Sequence, residues 1–544
     1  MTRTNKCIRP TPLCTFHDDK EVLARLASYR IGILAFPSKP GDAQHPPGDR
    51  NHSGHSQFII YSIDTVAIDS LSGADCHEGQ GNNMRNLRSN PPSSTSTSLE
   101  TLAEVFVVAS ALILLPPDAR AIPSYSRQTG MPCASCHYAP PELTPFGRTF
   151  KLEGYTFTAK PEVSDDKKDH NAALHLLEAF PLSVIFDTSL TALKTPQPGT
   201  QNGNFQFPQA ASLFLAGAWT NHVGSFLQVT YSTQGDHFSW DNTDIRYANH
   251  GSKLFDKAFT YGITLNNNPT VEDLWNSTPA WGYAFVSSNS APGPAARALI
   301  NGSLAQDVAG VGGYTMWNEH FYLAGTIYRS EHIGGAQPND GTMFPHNIRG
   351  IAPYWRAAWQ TSGKNNYLEI GGYGIHVKSS PFAVTGLMDS YTDWAADFQF
   401  DRTIPRFKND VLSFRGTYIR ENSSLLATFV ASGAAQTAHH LNTAQANVEY
   451  HFGTRFSGTA GFFDVTGTRD STMFVPAAVT GSANGSPQSN GYILNASWWP
   501  QQNVDLALQY TGYLRFNGGQ TNYDGSGRSA SANNTVYVLA RFVF

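Results

Sequence analysis

The sequence predicts an all-β protein, a transmembrane antiparallel β-barrel of about sixteen strands with a small N-terminal segment of another kind. Three observations predict it. Only 15% of the 544 residues are charged, against about 25% in soluble proteins, yet the mean hydropathy is −0.31, the average that alternating apolar and polar positions produce. From Pro181 onward, apolar residues recur with period two. The connections between these runs are by turns short and long, and the long ones are rich in Gly, Asn, Ser and Pro, as the periplasmic turns and external loops of bacterial barrels are.

Along the chain, residues 1–83 show no sustained period of two or 3.6 and carry no predicted site. They read as a disordered extension or a stretch ahead of the true start. Residues 84–121 read as a signal peptide. Met84-Arg85-Asn86-Leu87-Arg88 is its basic start, and Leu102–Leu115 is its apolar run, broken by Glu104. That run is too short to span a bilayer, which takes roughly 20 residues. Ala119-Arg120-Ala121 follows as a small-x-small cleavage site, so the mature chain is expected to begin at Ile122 and to be exported.

Residues 122–181 hold the one chemical motif. Of the five cysteines, Cys7, Cys14, Cys76, Cys133 and Cys136, two lie beyond residue 121, and they stand in Cys133-Ala-Ser-Cys136-His137. C-x-x-C-H is the spacing of c-type haem attachment: two thiols add to the vinyl groups on one porphyrin edge, and the next imidazole reaches the iron. A structural zinc site normally needs four protein ligands, and the mature chain has no further cysteine to complete one; a thioredoxin-like pair would need a βαβ context, and no such pattern follows. Cys133, Cys136 and His137 are therefore predicted to bind one covalent haem c, with His137 as proximal ligand. For the distal ligand, His175 on a short helix over 171–179 is the candidate, followed by His170. Surface histidines and a five-coordinate iron are the alternatives.

Residues 182–544 are predicted to form the barrel. The strands fall at roughly 182–192, 208–220, 225–235, 238–250, 258–266, 303–317, 321–330, 349–361, 366–378, 391–403, 407–421, 441–453, 455–467, 491–500, 504–517 and 534–544. Val504, Leu506, Leu508 and Tyr510 against Asp505, Ala507 and Gln509 show the alternation of a half-buried strand. An even strand number puts the N-terminal segment and Phe544 at the same, periplasmic rim. The net charge of −5 gives no reason to expect nucleic acid, and no nucleophile–base or metal-hydrolase motif is present.

Pro123-Ser-Tyr-Ser-Arg-Gln-Thr-Gly-Met-Pro-Cys133, then Pro141-Glu-Leu-Thr-Pro-Phe-Gly-Arg148 and Phe150-Lys-Leu-Glu-Gly-Tyr155, resemble the fused outer-membrane cytochrome–porins. Asp244-Ile-Arg-Tyr247 and Asn268-Pro-Thr-Val-Glu-Asp-Leu-Trp-Asn276 look like recurring segments of the same family. The resemblance covers about 122–544. It implies a monohaem segment lodged in an outer-membrane barrel and passing electrons from outside to a periplasmic carrier, with extracellular Fe(II) as the donor in its iron-oxidising members. It implies an electron-transfer protein rather than a conventional enzyme, with lipid as a partner; a passive porin with a haem-carrying plug is the alternative. Arg148 and Tyr155 match family-like positions and are expected to pack. Glu272, Asp273, Glu331 and Asp340 are loop acids to which no metal is assigned.

Overall fold

The computed structural model describes residues 123–159, 162–164, 175–331, 347–381, 386–407 and 410–544. The predicted extension, the signal peptide and His170 lie outside them. Among the described residues, sixteen strands form a ring without an open edge. The barrel strands are β3 (Leu182–Leu193), β4 (Asn204–Ala218), β5 (Val223–Ser232), β6 (His237–Leu254), β7 (Lys257–Asn266), β8 (Val308–Trp317), β9 (Phe321–Ser330), β11 (Ala352–Ser362), β12 (Asn366–Ser380), β13 (Asp389–Ile404), β14 (Asp410–Ser424), β15 (Ala438–Phe452), β16 (Phe456–Gly467), β17 (Ser489–Gln501), β18 (Val504–Arg515) and β19 (Thr535–Val543). Each pairs antiparallel with its neighbours in sequence. The ring closes where β19 meets β3, from Thr535↔Leu193 to Val543↔Ile185. A two-residue strand, β10 (Asn347–Ile348), stands against β12, and β9 pairs past it directly with β11. The sheet of seventeen strands is therefore a closed barrel of sixteen plus β10, with every predicted strand present. Closure leaves no unpaired strand edge, a requirement of any sheet in lipid.

Side-chain alternation sorts the two faces. In β9, Phe321, Leu323 and Ile327 are exposed while Tyr322, Ala324, Thr326 and Tyr328 are buried. In β13, Trp394 and Phe398 face out while Asp393, Asp397, Gln399 and Asp401 face in. The outer face is thus apolar and the inner face polar, the reverse of a water-soluble barrel and the arrangement that lipid selects.

The short connections, such as 219–222, 318–320, 363–365 and 502–503, share one rim with Leu182 and Phe544, as parity requires. The long connection expected outside at 267–302 runs instead over 267–307 and turns into the lumen. Its Val271, Leu274, Trp275, Leu299 and Ile300 are buried, an apolar content that water would not solvate. Leu299 N and Ile300 N donate to Glu421 on β14 (2.6 Å) and Asp393 on β13 (2.7 Å). On the far wall, Gln209 of β4 donates to Ser287 O (3.1 Å) and Tyr513 of β18 to Pro292 O (3.1 Å). The loop therefore crosses the barrel.

Residues 123–159 fill the lumen at the short-turn end with three helices: α1 (Pro123–Thr129), α2 (Cys133–Cys136) and α3 (Pro145–Leu152). The predicted helix over 171–179 is not what forms at 175–177. Those residues make β2 (His175–Leu177), paired antiparallel with β1 (Glu162–Ser164). A nine-residue run is too short to hold a helix on its own, and the ladder supplies the backbone partners instead.

Candidate functional site

α2 is a single turn, closed by His137 N donating to Cys133 O (2.9 Å). It puts both thiols and the imidazole on one side of the segment, and no disulfide joins the cysteines. The chain then folds back tightly. Glu142 N donates to Ala139 O (2.7 Å), and Thr144 N donates to Cys136 O (2.9 Å). His137 Nδ1 lies 3.2 Å from Glu142 O. A carbonyl only accepts, so Nδ1 carries the proton and Nε2 keeps its lone pair, the tautomer that metal-ligating histidines adopt through such an outer hydrogen bond. Burial pulls the His137 ring down to about 4, so it is neutral at neutral pH.

α3 is built from local signals. Thr144 caps its N-terminus, accepting from Gly147 N (3.2 Å), and Pro145 occupies the first turn where its missing N–H costs nothing. Its end is a Schellman turn: Tyr155 N reaches Phe150 O (2.9 Å) and Gly154 N reaches Lys151 O (3.2 Å), with Gly154 at φ +71°, the left-handed conformation that glycine tolerates. Gly147 lets α3 press on α2. A Cβ there would stand 2.2 Å from Cys136 O.

The barrel wall holds this segment from several sides. Gln128, fully buried, donates to Tyr155 O and Phe157 O (2.8 Å each) and accepts from Ala218 N (3.1 Å). Lys151 Nζ donates to Val271 O (2.8 Å), Asp273 O (2.6 Å) and Asn276 Oδ1 (2.8 Å). Burial, reinforced by Arg246, pulls Lys151 down to about 7. Tyr155 OH donates to Asp244 (2.8 Å), and Arg246 donates to Lys151 O (3.2 Å) and Glu272 O (2.6 Å). Arg148 donates to Leu143 O (2.9 Å), pairs with Asp401 (3.4 Å) and lies 3.7 Å above the Tyr367 ring. Arg148 and Tyr155 thus pack, as expected, and the segments 244–247 and 268–276 are the docking surface for α3. Glu272 and Asp273 are buried in that surface rather than solvated. Burial raises Glu272 to about 7, and it accepts from Thr326 (2.9 Å) and Asn266 (3.0 Å). Burial works on Asp273 too, but Arg356 at 3.1 Å and Lys151 hold it below its ordinary value.

Cys133, Cys136 and His137 line a cavity of about 460 Å³ between this segment and the wall of β3–β6 and β17–β19, with residues 279–282 and 284–286 of the crossing loop also lining it. Its volume lies within the roughly 300–1,000 Å³ of cofactor sites. The walls are mostly apolar and aromatic: Tyr125, Phe150, Phe214, Phe226 and Trp281. Arg541, held by Asp187 (2.8 Å), stands at its polar side with Gln228 and Asn242. This donor set fits haem c: two thiols a turn apart, one neutral imidazole with a fixed tautomer and an apolar pocket for the macrocycle. Burial pushes the Cys136 thiol up to about 11, the wrong direction for a reactive or metal-bound thiolate. Among the described residues lining the cavity, His137 is the only histidine. The predicted distal ligand His175 has its backbone in β2, and its side chain lies outside the described residues.

Together these features define a closed sixteen-strand antiparallel barrel with a thiol- and imidazole-bearing plug in its lumen. No family model and no curated protein matches the chain. Solved structures similar to it include an anion-selective porin from Comamonas acidovorans, at TM-score 0.41 and 10% identity over 67% of this chain and 98% of that one. Pseudomonas putida OprB is similar at TM-score 0.42 and 12% identity, over 67% and 94%. Likeness at this level carries no argument about what the chain does; the barrel rests on its own ladder of strands.

Proposed function

We propose that the chain is an outer-membrane electron conduit, a monohaem c-type cytochrome segment lodged in a barrel of porin size. The observation that carries this reading is the cavity in which Cys133, Cys136 and the tautomer-fixed His137 face apolar walls inside a closed barrel. Cys133 and Cys136 would hold haem c through thioethers, and His137 would ligate its iron. Bound there, haem c supplies a one-electron couple tuned by its axial ligands and burial. The residues around it orient and enclose: Gln128, Lys151 and Arg148 fix the segment to the wall, and Trp281, Phe214 and Phe226 supply apolar lining to the pocket. The apolar girdle supports placement in lipid, and the plug's position at the short-turn rim supports access from the periplasm. The crossing loop and the plug both occupy the lumen, which narrows the path for free solute flux. Following the family resemblance, the donor is extracellular Fe(II) and the acceptor a periplasmic electron carrier.

Proteoliposomes holding a trapped, impermeant oxidant test this. Fe(II) added outside should reduce the oxidant, and the Cys133→Ala/Cys136→Ala protein should insert without supporting reduction. Reduction that survives loss of both cysteines, or that follows leakage of small solutes, overturns the reading in favour of a porin.

A further inference from the structure

A second group of potential ligands lies on the other face of the fold-back that positions His137. Glu142 offers its main-chain carbonyl to His137 and sends its carboxylate to the barrel wall. There it meets Glu449 and His451, alternate residues of β15 and so on the same inward face. All three are buried, at 1%, 3% and 2% exposure. Their ligand atoms lie within 4.8 Å of one another, with His451 Nε2 3.1 Å from Glu142 Oε2 and His451 Nδ1 3.8 Å from Glu449 Oε1.

The cluster is unsatisfied. Neither Glu142 oxygen makes a hydrogen bond, nor do Glu449 Oε2 and His451 Nε2. Arg415 contacts Glu142 Oε1 and lies 4.0 Å from Glu449, leaving Glu142 Oε2 to face His451. The neighbouring Asp401 lies 3.9 Å from Arg415 and 3.4 Å from Arg148. Three carboxylates thus face two guanidiniums, with His451 as the remaining neighbour of Glu142 and Glu449. A buried charge is costly unless paired or bound to metal.

We propose that Glu142, Glu449 and His451 bind one divalent first-row transition-metal ion beside the plug. Two carboxylates and an imidazole suit Mn(II), Fe(II) or Zn(II) over the softer ions that thiolates select. Cavities lie beside the site. Glu449 borders a small cavity of about 40 Å³ that shares Tyr283, Gln509 and Tyr537 with a larger one of about 410 Å³ on the long-loop side. The same small cavity shares Phe285, Trp499 and Asp505 with the thiol-lined cavity. An ion held by Glu142 would lie next to the main chain that tethers His137. That role, presenting an oxidisable ion to the plug, rests on the conduit reading; the binding itself does not.

The test is Mn(II) titration of the purified full chain, followed by electron paramagnetic resonance, with haem staining of the same samples. The expected result is one saturable Mn(II) per chain showing coupling to a single imidazole nitrogen. Glu449→Gln and His451→Gln should each weaken binding at least ten-fold, and the nitrogen coupling should vanish in His451→Gln. Absence of saturable binding, bound Mn(II) without nitrogen coupling in the unmutated chain, or equal affinity in folded variants overturns the proposal. The coupling in the unmutated chain decides even if a variant fails to fold. Saturable Mn(II) on a chain without haem staining would sink the conduit reading alone, and stained protein without Mn(II) would sink the ion site alone.

Discussion

Replacing Gly147 by alanine adds a single methyl group where the structure has no room for it. The new Cβ would lie 2.2 Å from Cys136 O, 3.0 Å from Cys136 C and 3.1 Å from Leu143 Cδ2, whereas ordinary contact begins near 3.4 Å. The obstacle is the main chain of the thiol motif, not the end of a flexible side chain, so α3 and α2 must separate by about 1 Å. Overpacking of this size costs roughly 1–3 kcal/mol. The separation also strains Thr144 N→Cys136 O, the 2.9 Å bond that closes the fold-back. The barrel ladder does not involve Gly147 and should be untouched. Gly147→Ala is therefore expected to insert normally and to show heat-modifiable migration like the unmutated chain, while its haem content falls or its visible spectrum shifts. Haem staining of denatured protein and the reduced-minus-oxidised spectrum read the two effects separately. Haem content and spectrum identical to the unmutated protein would refute the close packing of α3 on α2 as the device that presents the motif.

Three further outcomes are expected. Cys133→Ala with Cys136→Ala should abolish the haem-staining band that survives denaturation, because only thioethers withstand unfolding; an unchanged band would put the haem elsewhere. Gly224→Ala should loosen the plug without disturbing α2, since its Cβ would meet Gly154 O at 2.3 Å and Tyr155 Cβ at 3.2 Å; protease cleavage within 123–159 should become faster, and unchanged resistance would exclude that contact. Lys151, at about 7 when docked against 10.5 ordinarily, releases its proton earlier in the docked plug than in the undocked one. Docking should therefore strengthen as pH rises from about 7 to 10.5 and be weakest, as far as this lysine is concerned, below that window. Protease resistance measured over that range should rise in the unmutated chain and stay flat in Lys151→Met; a fall with pH would reverse the sign and sink the assignment.

Much of this protein is written locally in its sequence. Period-two alternation, as in Phe321–Tyr328, decides which face of each strand is apolar, and the sixteen runs, their pairing between neighbours and the shared rim of Leu182 and Phe544 follow without tertiary information. Cys133-Ala-Ser-Cys136-His137 is likewise legible as a motif by its spacing, and the Asp244–Tyr247 and Asn268–Asn276 segments are recognisable in the sequence without their shared purpose. That purpose, docking Lys151 and Tyr155, joins residues about 90 to 120 positions apart and was not readable from either segment. The same limit hid the inward turn of 267–307. Its Gly- and Pro-rich composition is that of an external loop, and only the carboxylates of Asp393 and Glu421 on the opposite wall reveal where Leu299 and Ile300 go. Spacing puts Glu449 and His451 on one face of β15 but cannot bring Glu142 to them, because a barrel wall and its plug meet across the lumen and not along the chain. Local hydrogen bonding and alternation determine the elements; which distant polar groups become buried neighbours is decided only when the sheet closes around the segment it encloses.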